Sequence, residues 1–390
     1  MYKMIENQDI IIISNQMLND HYWTSKQYIT MELIKKNRVL YVEANYSFGK
    51  LFFGIIGNKW PVVPFGRLKI DNDNLSILTP FPRLPYRNHF RWIGWLNQKL
   101  LHKQIKKAMR RLKIDRPILW TFLHQTADLI GKLDESFTVY HCVDDWPERF
   151  VMEKMGRRSI IIYDEKALLD SCDLIISVSP KLLVDYKIDK GKYRFIENGV
   201  DLNLFCINDI SYQAPKDLQQ IQKPVIGFIG TIGNWIDFKL YEDLLLSFPD
   251  FSFVMIGLNL RKKDIDLINQ HNNFYYLGLK KQNKVPDYIN YFDICLMPFN
   301  KTRIARGLLP QKMFQYLAMG KPVVSTDLFT LRPFNKILYL ANNTDQFVTN
   351  IKHALEEIDN EKIERIEFAK RYSWPNRLNE YDNAIQGILN

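Results

Sequence analysis

Short apolar runs rich in β-branched and aromatic residues recur along the chain, separated by segments whose apolar positions lie three or four residues apart. Such runs are typical of buried strands, and such segments are typical of helices packed against a parallel sheet. In the first half, the predicted strands are 9–14, 38–43, 75–80, 117–122, 137–143 and 173–179. In the second half, they are 224–230, 251–257, 274–278, 292–298, 322–326 and 337–341. Each half therefore predicts a complete α/β domain.

The length of 390 residues suits two domains of roughly 100–200 residues each. A polar, proline-containing stretch at 208–222 is the predicted connection between them. The last helical pattern is interrupted at Ser373-Trp374-Pro375, where the chain could turn back toward the first domain. We therefore predict domains at 1–207 and 208–370, followed by a returning C-terminal helix at 371–390.

The composition is that of an ordinary globular protein, with 46% apolar and 25% charged residues. No stretch approaches the roughly 20 consecutive apolar residues that span a bilayer. The apolar run 10–13 is too short for the core of a signal peptide. The cysteines Cys142, Cys172, Cys206 and Cys295 are scattered, without the spacing of a metal or redox motif. We expect a cytoplasmic protein with reduced thiols, and no metal or cofactor.

The net charge of +10 is concentrated between positions 83 and 116. The cations of this segment are Arg83, Arg87, Arg91, Lys99, Lys103, Lys106, Lys107, Arg110, Arg111, Lys113 and Arg116, opposed only by Asp115. The part from Phe90 to Lys113 has the periodicity of a basic amphipathic helix, with Trp92 and Trp95 near its start. It could lie in an anionic membrane interface or be an ordinary helix with a solvated basic face. We expect no nucleic-acid binding, because no recognised motif accompanies the charge.

A glycine-containing turn follows the predicted strand 224–230, with Gly230, Thr231 and Gly233 preceding a helix predicted from about Phe238. Glycines at a strand-to-helix turn allow backbone N–H groups to approach a phosphate. The spacing differs from a dinucleotide fingerprint, so a simple tight turn remains an alternative.

A second constellation follows the predicted strand 292–298. A polar loop with Arg303 and Arg306 leads to a short helix that begins near Pro310 and ends at Gly320. Lys312 and Gln315 share one face of this helix, at the sheet edge where open α/β folds bind ligands. The lysine could neutralise a diphosphate, and the amide could bind ribose or sugar hydroxyl groups. A nucleotide base could pair with backbone near Tyr276.

The run Pro310-x-Lys312-x-x-Gln315-Tyr316-Leu317-Ala318-x-Gly320-Lys321-Pro322-Val323-Val324 resembles the donor-site signature of GT-B glycosyltransferases of family 4 and their relatives. Stretches at 173–179, 196–201 and 229–237 agree with it in order. The resemblance covers about residues 139–374, and the most similar subgroup is that of the teichuronic acid transferases and the xanthan glucuronosyltransferase. It implies two Rossmann-like domains facing across a cleft, with acceptor binding by 1–207, donor binding by 208–370 and no metal requirement. A UDP-linked donor is also implied by the resemblance.

The chain departs from the family pattern at two positions. Family 4 members usually have glutamate where Gln315 stands, and often another where Gly307 stands. Gln315 keeps one acceptor oxygen but lacks the charge, which leaves the stereochemical outcome open.

In the first half, His141, Asp144 and Asp145 lie at the carboxyl end of the strand 137–143. A carboxylate there could accept the proton of an acceptor hydroxyl group. We predict Asp144 as the catalytic base, with Asp145 capping the next segment and Asp145 and His141 as alternates. Both carboxylates could instead serve only backbone donors.

His21, Trp23 and Lys26 follow the first strand and are candidate acceptor contacts, or simply parts of a surface loop. Glu165 matches a position where related sequences often carry glutamate, but a charge on a helix surface explains it equally well. It receives no catalytic role.

The sequence thus predicts a monomeric glycosyltransferase of the hexosyl type at the inner face of the plasma membrane. It would move a sugar from a nucleotide diphosphate, preferably UDP, to a lipid-linked saccharide in cell-surface polysaccharide synthesis. Two alternatives remain open: a non-hydrolysing UDP-sugar 2-epimerase, and a catalytically silent membrane-associated scaffold of a polysaccharide-assembly complex.

Overall fold

The chain forms two compact units, 1–197 together with 377–390, and 198–376. The computed structural model describes residues 5–20, 23–44, 65–148, 157–180, 182–184, 186–206, 212, 214–302 and 307–389. Each unit is described below by itself.

The first unit is built on one sheet whose strands, within the described residues, follow the order β3-β4-β2-β1-β5-β6-β7-β8. Their bounds are β1 Asp9–Ile13, β2 Arg38–Val42, β3 Arg67–Asn72, β4 Leu75–Thr79, β5 Ile118–Thr121, β6 Phe137–Cys142, β7 Leu174–Ser177 and β8 Tyr193–Phe195. All pairs are parallel except β3 with β4. Central β1 pairs with β2 and β5 and is an almost continuous run of isoleucine, because a parallel strand is covered on both faces.

The helices of the first unit are α1 Ser25–Leu33, α2 Arg91–Leu112 and α3 Arg158–Ser171. The start and end of α2 agree with the amphipathic pattern of the sequence. Its buried positions include Leu101, Ile105 and Met109, which lie three or four residues apart and pack into the core of this unit.

The second unit contains a fully parallel sheet of strand order β11-β10-β9-β12-β13-β14 in the part of the chain that is described. The strands are β9 Val225–Ile229, β10 Ser252–Ile256, β11 Phe274–Tyr276, β12 Ile294–Met297, β13 Val323–Thr326 and β14 Tyr339–Ala341. The helices are α4 Phe238–Ser247, α5 Lys262–Ile268, α6 Val285–Tyr291, α7 Gln311–Ala318, α8 Thr344–Leu355 and α9 Asp359–Lys370. Mixed α/β architecture with parallel sheets is thus confirmed, and all twelve predicted strands are present.

The last helix, α10 Trp374–Leu389, contributes residues to the first unit from Arg377 onward. Within that unit, the Asp382 carboxylate accepts a hydrogen bond of 2.9 Å from the Ile5 N–H, and the Tyr381 ring packs edge-on against Trp120. The division between the units falls at 197/198, ahead of the predicted 207/208. The reason is that Val200 and Phe205 are buried in the core of the second unit.

Candidate functional site

The carboxyl ends of β9 and β10 approach each other more closely than side chains would permit. Gly230 has φ +151° and Gly257 has φ +144°, and a Cβ added to Gly257 would collide with the Gly230 carbonyl group. The Gly230 N–H donates to the Ile256 carbonyl oxygen at 2.8 Å. This edge of the sheet is therefore lined by backbone atoms rather than by side chains.

Lys312 points its ammonium group at this backbone edge. A Cβ added to Gly230 would collide with the Lys312 Nζ, and that Nζ lies 3.9 Å from the centroid of the Phe228 ring. No carboxylate of the described residues forms an ion pair with it. Burial lowers the pKa of Lys312 to about 7. The site thus holds a cation for which the described residues supply no anionic partner.

The position of Lys312 is fixed by Tyr316, which lies one helical turn further along α7. The Tyr316 hydroxyl oxygen accepts a hydrogen bond of 2.8 Å from the Ile229 N–H, the last residue of β9. The half-buried Gln315 forms no side-chain hydrogen bond within the described part of the chain. Helix α7 therefore presents a fixed cation and an available amide at the end of β9.

In the turn after β9, Gly233 is buried beneath the Trp235 ring, with which an added Cβ would collide, so its small size makes room for the indole. The role of Gly233 in donor binding stays a prediction. Half-buried Thr231 accepts a hydrogen bond of 3.2 Å from the Trp235 Nε1 through its carbonyl oxygen. Asp237 caps α4 by accepting the Leu240 N–H at 2.9 Å.

Tyr276 also lies at this edge, at the end of β11. Its hydroxyl group donates a hydrogen bond of 2.9 Å to the Gly257 carbonyl oxygen. Gly230, Lys312 and Tyr276 are thus brought to one end of the sheet. The predicted cations Arg303 and Arg306 lie outside the described residues.

In the first unit, two half-buried carboxylates follow β6. The Asp145 Oδ1 accepts the Glu148 N–H at 3.1 Å, which is the predicted capping contact. The Asp144 carbonyl oxygen accepts a hydrogen bond of 3.5 Å from the Cys142 Sγ. The role of Asp144 as a base stays a prediction.

His141 does not suit the alternate catalytic role predicted for it. Its ring is fully buried and stacked on Phe122 at 5.0 Å between centroids, and Tyr381 lies 5.4 Å away. Neither ring nitrogen has a hydrogen-bond partner among the described residues. Burial and the charge of Lys26 lower the pKa of His141 to about 3, so the ring is neutral.

The predicted acceptor contacts are only partly accessible. Lys26 is 5% exposed, with its Nζ 5.5 Å from the centroid of the Phe122 ring. Trp23 is half-buried and meets Tyr28 edge-on. His21 lies outside the described residues. Lys26 is therefore part of a buried cluster rather than of a surface loop.

Glu165 is a buried acid, not a charge on a helix surface. It is 1% exposed and accepts hydrogen bonds from the Tyr140 hydroxyl at 2.6 Å and the Tyr186 hydroxyl at 2.7 Å. Burial raises the pKa of Glu165 to about 7. Helical periodicity could have found it, since buried Ile161 and Leu168 lie four residues before and three after.

Two further properties concern the described residues only. They contain no group of three or more His, Cys, Asp or Glu side chains arranged to hold a metal ion. None of the helices in those ranges is both long and apolar enough to cross a membrane.

Comparison with known proteins adds to this geometry. Residues 223–357 match the family described as glycosyl transferases group 1. A protein of Bacillus subtilis (strain 168), named as a candidate teichuronic acid biosynthesis glycosyltransferase, TuaH, is 33% identical over 202 residues. The match covers 49% of this chain and 50% of that protein, so it spans about half the length of the relative.

Solved structures resemble the whole chain at low identity. Sucrose-phosphate synthase of Thermosynechococcus elongatus has a TM-score of 0.71 at 14% identity, over 98% of this chain and 99% of that one. HepE of Anabaena, in complex with UDP and glucose, has a TM-score of 0.67 at 15% identity, over 97% and 100%. The catalytic domain of starch synthase IV of Arabidopsis thaliana, bound to ADP and acarbose, has a TM-score of 0.67 at 12% identity, over 99% and 100%. Residues 223–357 are therefore similar to a glycosyl transferases group 1 domain, and the chain has the GT-B fold of these solved structures.

Proposed function

We propose that this chain transfers a sugar from a nucleoside diphosphate to a saccharide acceptor in polysaccharide synthesis. The observation that carries the proposal is the uncompensated Lys312 ammonium group beside the bare backbone at Gly230. A diphosphate is the group that suits this arrangement, because it supplies negative charge to the Lys312 ammonium group. UDP is the proposed nucleotide, since HepE is a UDP complex of the same fold.

The chemistry assigned to these residues is a displacement at the anomeric carbon. The bond from that carbon to the diphosphate oxygen breaks, and a bond to the acceptor hydroxyl oxygen forms. The acceptor proton goes to a carboxylate, for which we propose Asp144. Lys312 offsets the charge of the departing diphosphate, so the proposed reaction requires no metal. Gln315 would bind ribose or sugar hydroxyl groups, and the backbone after Tyr276 would meet the base.

A lipid-linked acceptor is proposed from the surface of α2. Phe90, Trp92 and Trp95 are 48%, 65% and 48% exposed at the start of this basic helix. The Lys99 Nζ lies 3.6 Å from the Trp95 ring centroid. Exposed aromatic rings interleaved with cations suit the headgroup region of an anionic bilayer, where each cation adds about 1 kcal/mol. We propose that a monomer binds the inner face of the plasma membrane through segment 83–116.

Vesicle binding tests the membrane contact. We expect sedimentation with vesicles containing anionic lipid, and a loss of at least fivefold in affinity for the double variant Trp92→Ala/Trp95→Ala. Phe329→Ala is the matched control, because Phe329 is 49% exposed in the second unit. Equal binding by the double variant and the control would contradict the proposed contact.

A transfer assay tests the activity. Purified chain is incubated with radiolabelled UDP-sugars and membranes bearing lipid-linked saccharides, and label in the lipid extract is counted. Lys312→Ala and Asp144→Asn should each lower the initial rate at least 100-fold, whereas the exposed Lys239→Ala should match the natural chain. Conversion of a UDP-sugar without an acceptor would favour the epimerase. Vesicle binding without nucleotide binding would favour the scaffold.

A further inference from the structure

A pocket opens in the first unit, near the carboxyl ends of β1, β2 and β5. Its empty space, counted together with the open solvent at its mouth, is about 370 Å³. Its polar lining includes Glu43, Arg83, Arg87, Gln98 and Gln125. Ligands of open α/β sheets bind at this end of the strands, so the lining has the position of a binding site.

The two arginines of the pocket differ in whether a carboxylate lies beside them. The Arg87 Nη2 donates to the Asp164 Oδ2 at 2.7 Å, and its Nε donates to the Asn88 Oδ1 at 2.9 Å. Arg83 forms no ion pair or hydrogen bond through its side chain with the described residues, and burial lowers its pKa. A half-buried guanidinium group without an anion is unfavourable, because it loses part of its water while its N–H donors gain no charged acceptor. The pocket therefore favours a ligand that carries negative charge.

The same pocket offers acceptors for hydroxyl groups. Gln98 is 5% exposed, and its Oε1 has no hydrogen-bond partner among the described residues. The Glu43 carboxylate accepts the Leu18 N–H at 3.0 Å and the Thr79 hydroxyl at 2.6 Å. A bare inorganic anion would use the arginine but leave the Gln98 oxygen unsatisfied and approach the Glu43 charge. A ligand with one anionic group and several hydroxyl groups satisfies all three side chains.

We propose that this pocket binds an acidic saccharide, with its phosphate or carboxylate on Arg83 and its hydroxyl groups on Gln98 and Glu43. Binding stands on the pocket alone. The assignment of this ligand as the sugar acceptor rests on the proposed function, and it narrows the acceptor to an anionic one.

Calorimetric titration of the full chain with glucuronate, glucose 6-phosphate and glucose tests the proposal. At least one of the two acidic sugars should bind at least tenfold more tightly than glucose. Comparison of glucuronate with glucose 6-phosphate distinguishes a carboxylate ligand from a phosphate ligand. Arg83→Gln should remove this preference. Arg67→Gln is the matched control, because Arg67 is an exposed arginine on β3 of the same unit. UDP binding and far-UV circular dichroism report whether each variant is folded.

A second variant distinguishes a loss of binding from a loss of folding. Gln98→Glu keeps the size of the side chain and places a carboxylate in the pocket, so it should weaken acidic-sugar binding at least tenfold while UDP binding is retained. Equal affinity for glucose and both acidic sugars would overturn the proposal, as would identical titrations of Arg83→Gln and Arg67→Gln. A chain that binds an acidic sugar through Arg83 but never binds UDP would support this pocket and defeat the proposed function.

Discussion

Lys312 combines two properties that seldom occur together in a lysine: a pKa lowered to about 7 and the absence of an anionic partner within the described residues. Phe228 and Phe299 lie beneath the ammonium group at 3.9 and 5.7 Å from their centroids. These rings favour the cation, but they cannot replace the water that burial removes. The free site therefore holds a lysine that is partly neutral at physiological pH.

If Lys312 binds the donor as proposed, donor binding is sensitive to pH. Binding of a diphosphate requires the charged lysine, which predominates below pH 7 and becomes scarce above it. The apparent Kd for UDP-glucose, whose diphosphate does not titrate near neutrality, should rise at least tenfold between pH 6.5 and 8.5. Calorimetry across this range measures it. Lys312→Arg should bind with little pH dependence, because a guanidinium group stays charged. A steep profile that persists in the arginine variant would assign the titration to another group.

Glu165 carries a prediction about stability. Its pKa is raised by burial from 4.5 to about 7, so the unfolded chain loses this proton at lower pH than the folded chain does. Stability should therefore fall as the pH rises from about 4.5 to 7, by up to about 3 kcal/mol from this group. Urea unfolding at pH 5 and 7.5 should show a smaller fall for Glu165→Gln. The exposed Glu364→Gln should behave as the natural chain; if all three chains lose equal stability, Glu165 is not the cause.

For a single residue, the sequence predicts where a chemical group lies better than it predicts the surroundings of that group. The location of Lys312 follows from Pro310 and Gly320, which bound its helix, and the sheet edge follows from the strand pattern. Its lowered pKa could not be predicted, since the burial that causes it depends on residues from other parts of the chain. The packing of Trp235 against Gly233 could not be predicted either, because a glycine in a turn can make room for many different groups.

At the scale of elements, α7 is held by two contacts, one in its last turn and one just after its C-terminus. The Tyr316 hydroxyl group joins it to β9, and the Arg365 Nε on α9 donates to the Gly320 carbonyl oxygen at 3.1 Å. These contacts align the helix so that Lys312 faces Gly230. Donor affinity should therefore depend on residues that never touch the donor.

Tyr316→Phe tests this dependence. The substitution leaves the Ile229 N–H without its acceptor, which should lower the free energy of unfolding by about 1–3 kcal/mol. The Kd for UDP-glucose should rise severalfold, because Lys312 is less firmly placed. Tyr241→Phe is the control, since the buried Tyr241 hydroxyl group has no hydrogen-bond partner in the described ranges. A destabilised Tyr316→Phe with unchanged Kd would show that the contact supports the fold but not the site.

The two strands that the sequence pattern does not predict, β3 and β8, are edge strands of the first sheet. β3 is largely exposed and reads Arg-Leu-Lys-Ile-Asp-Asn, and β8 has only three residues. Neither contains an apolar run, because an edge strand need not be covered on both faces. The central strands were found because burial on both faces imposes such a run.

At the scale of the whole molecule, each unit is a sheet whose strand order reverses beside its first strand, β1 or β9. This reversal is where open α/β folds bind ligands, and both candidate sites lie there. The pocket lined by Arg83 lies at the end of β1, and Lys312 faces the end of β9. The sequence indicated this arrangement through two series of strands, but it gave no sign that Arg83 and Gln98 meet in a pocket, since their contacts depend on how α2 packs.

Calorimetric titration with UDP, CDP, GDP, dTDP and ADP in the presence of a metal chelator tests whether Lys312 forms the proposed nucleoside diphosphate site. We predict that UDP binds most tightly, that Lys312→Ala weakens it at least tenfold, and that Lys239→Ala, an exposed lysine of the same unit, leaves it unchanged. Absence of binding by every nucleotide, or equal UDP affinity in both variants, would contradict the account.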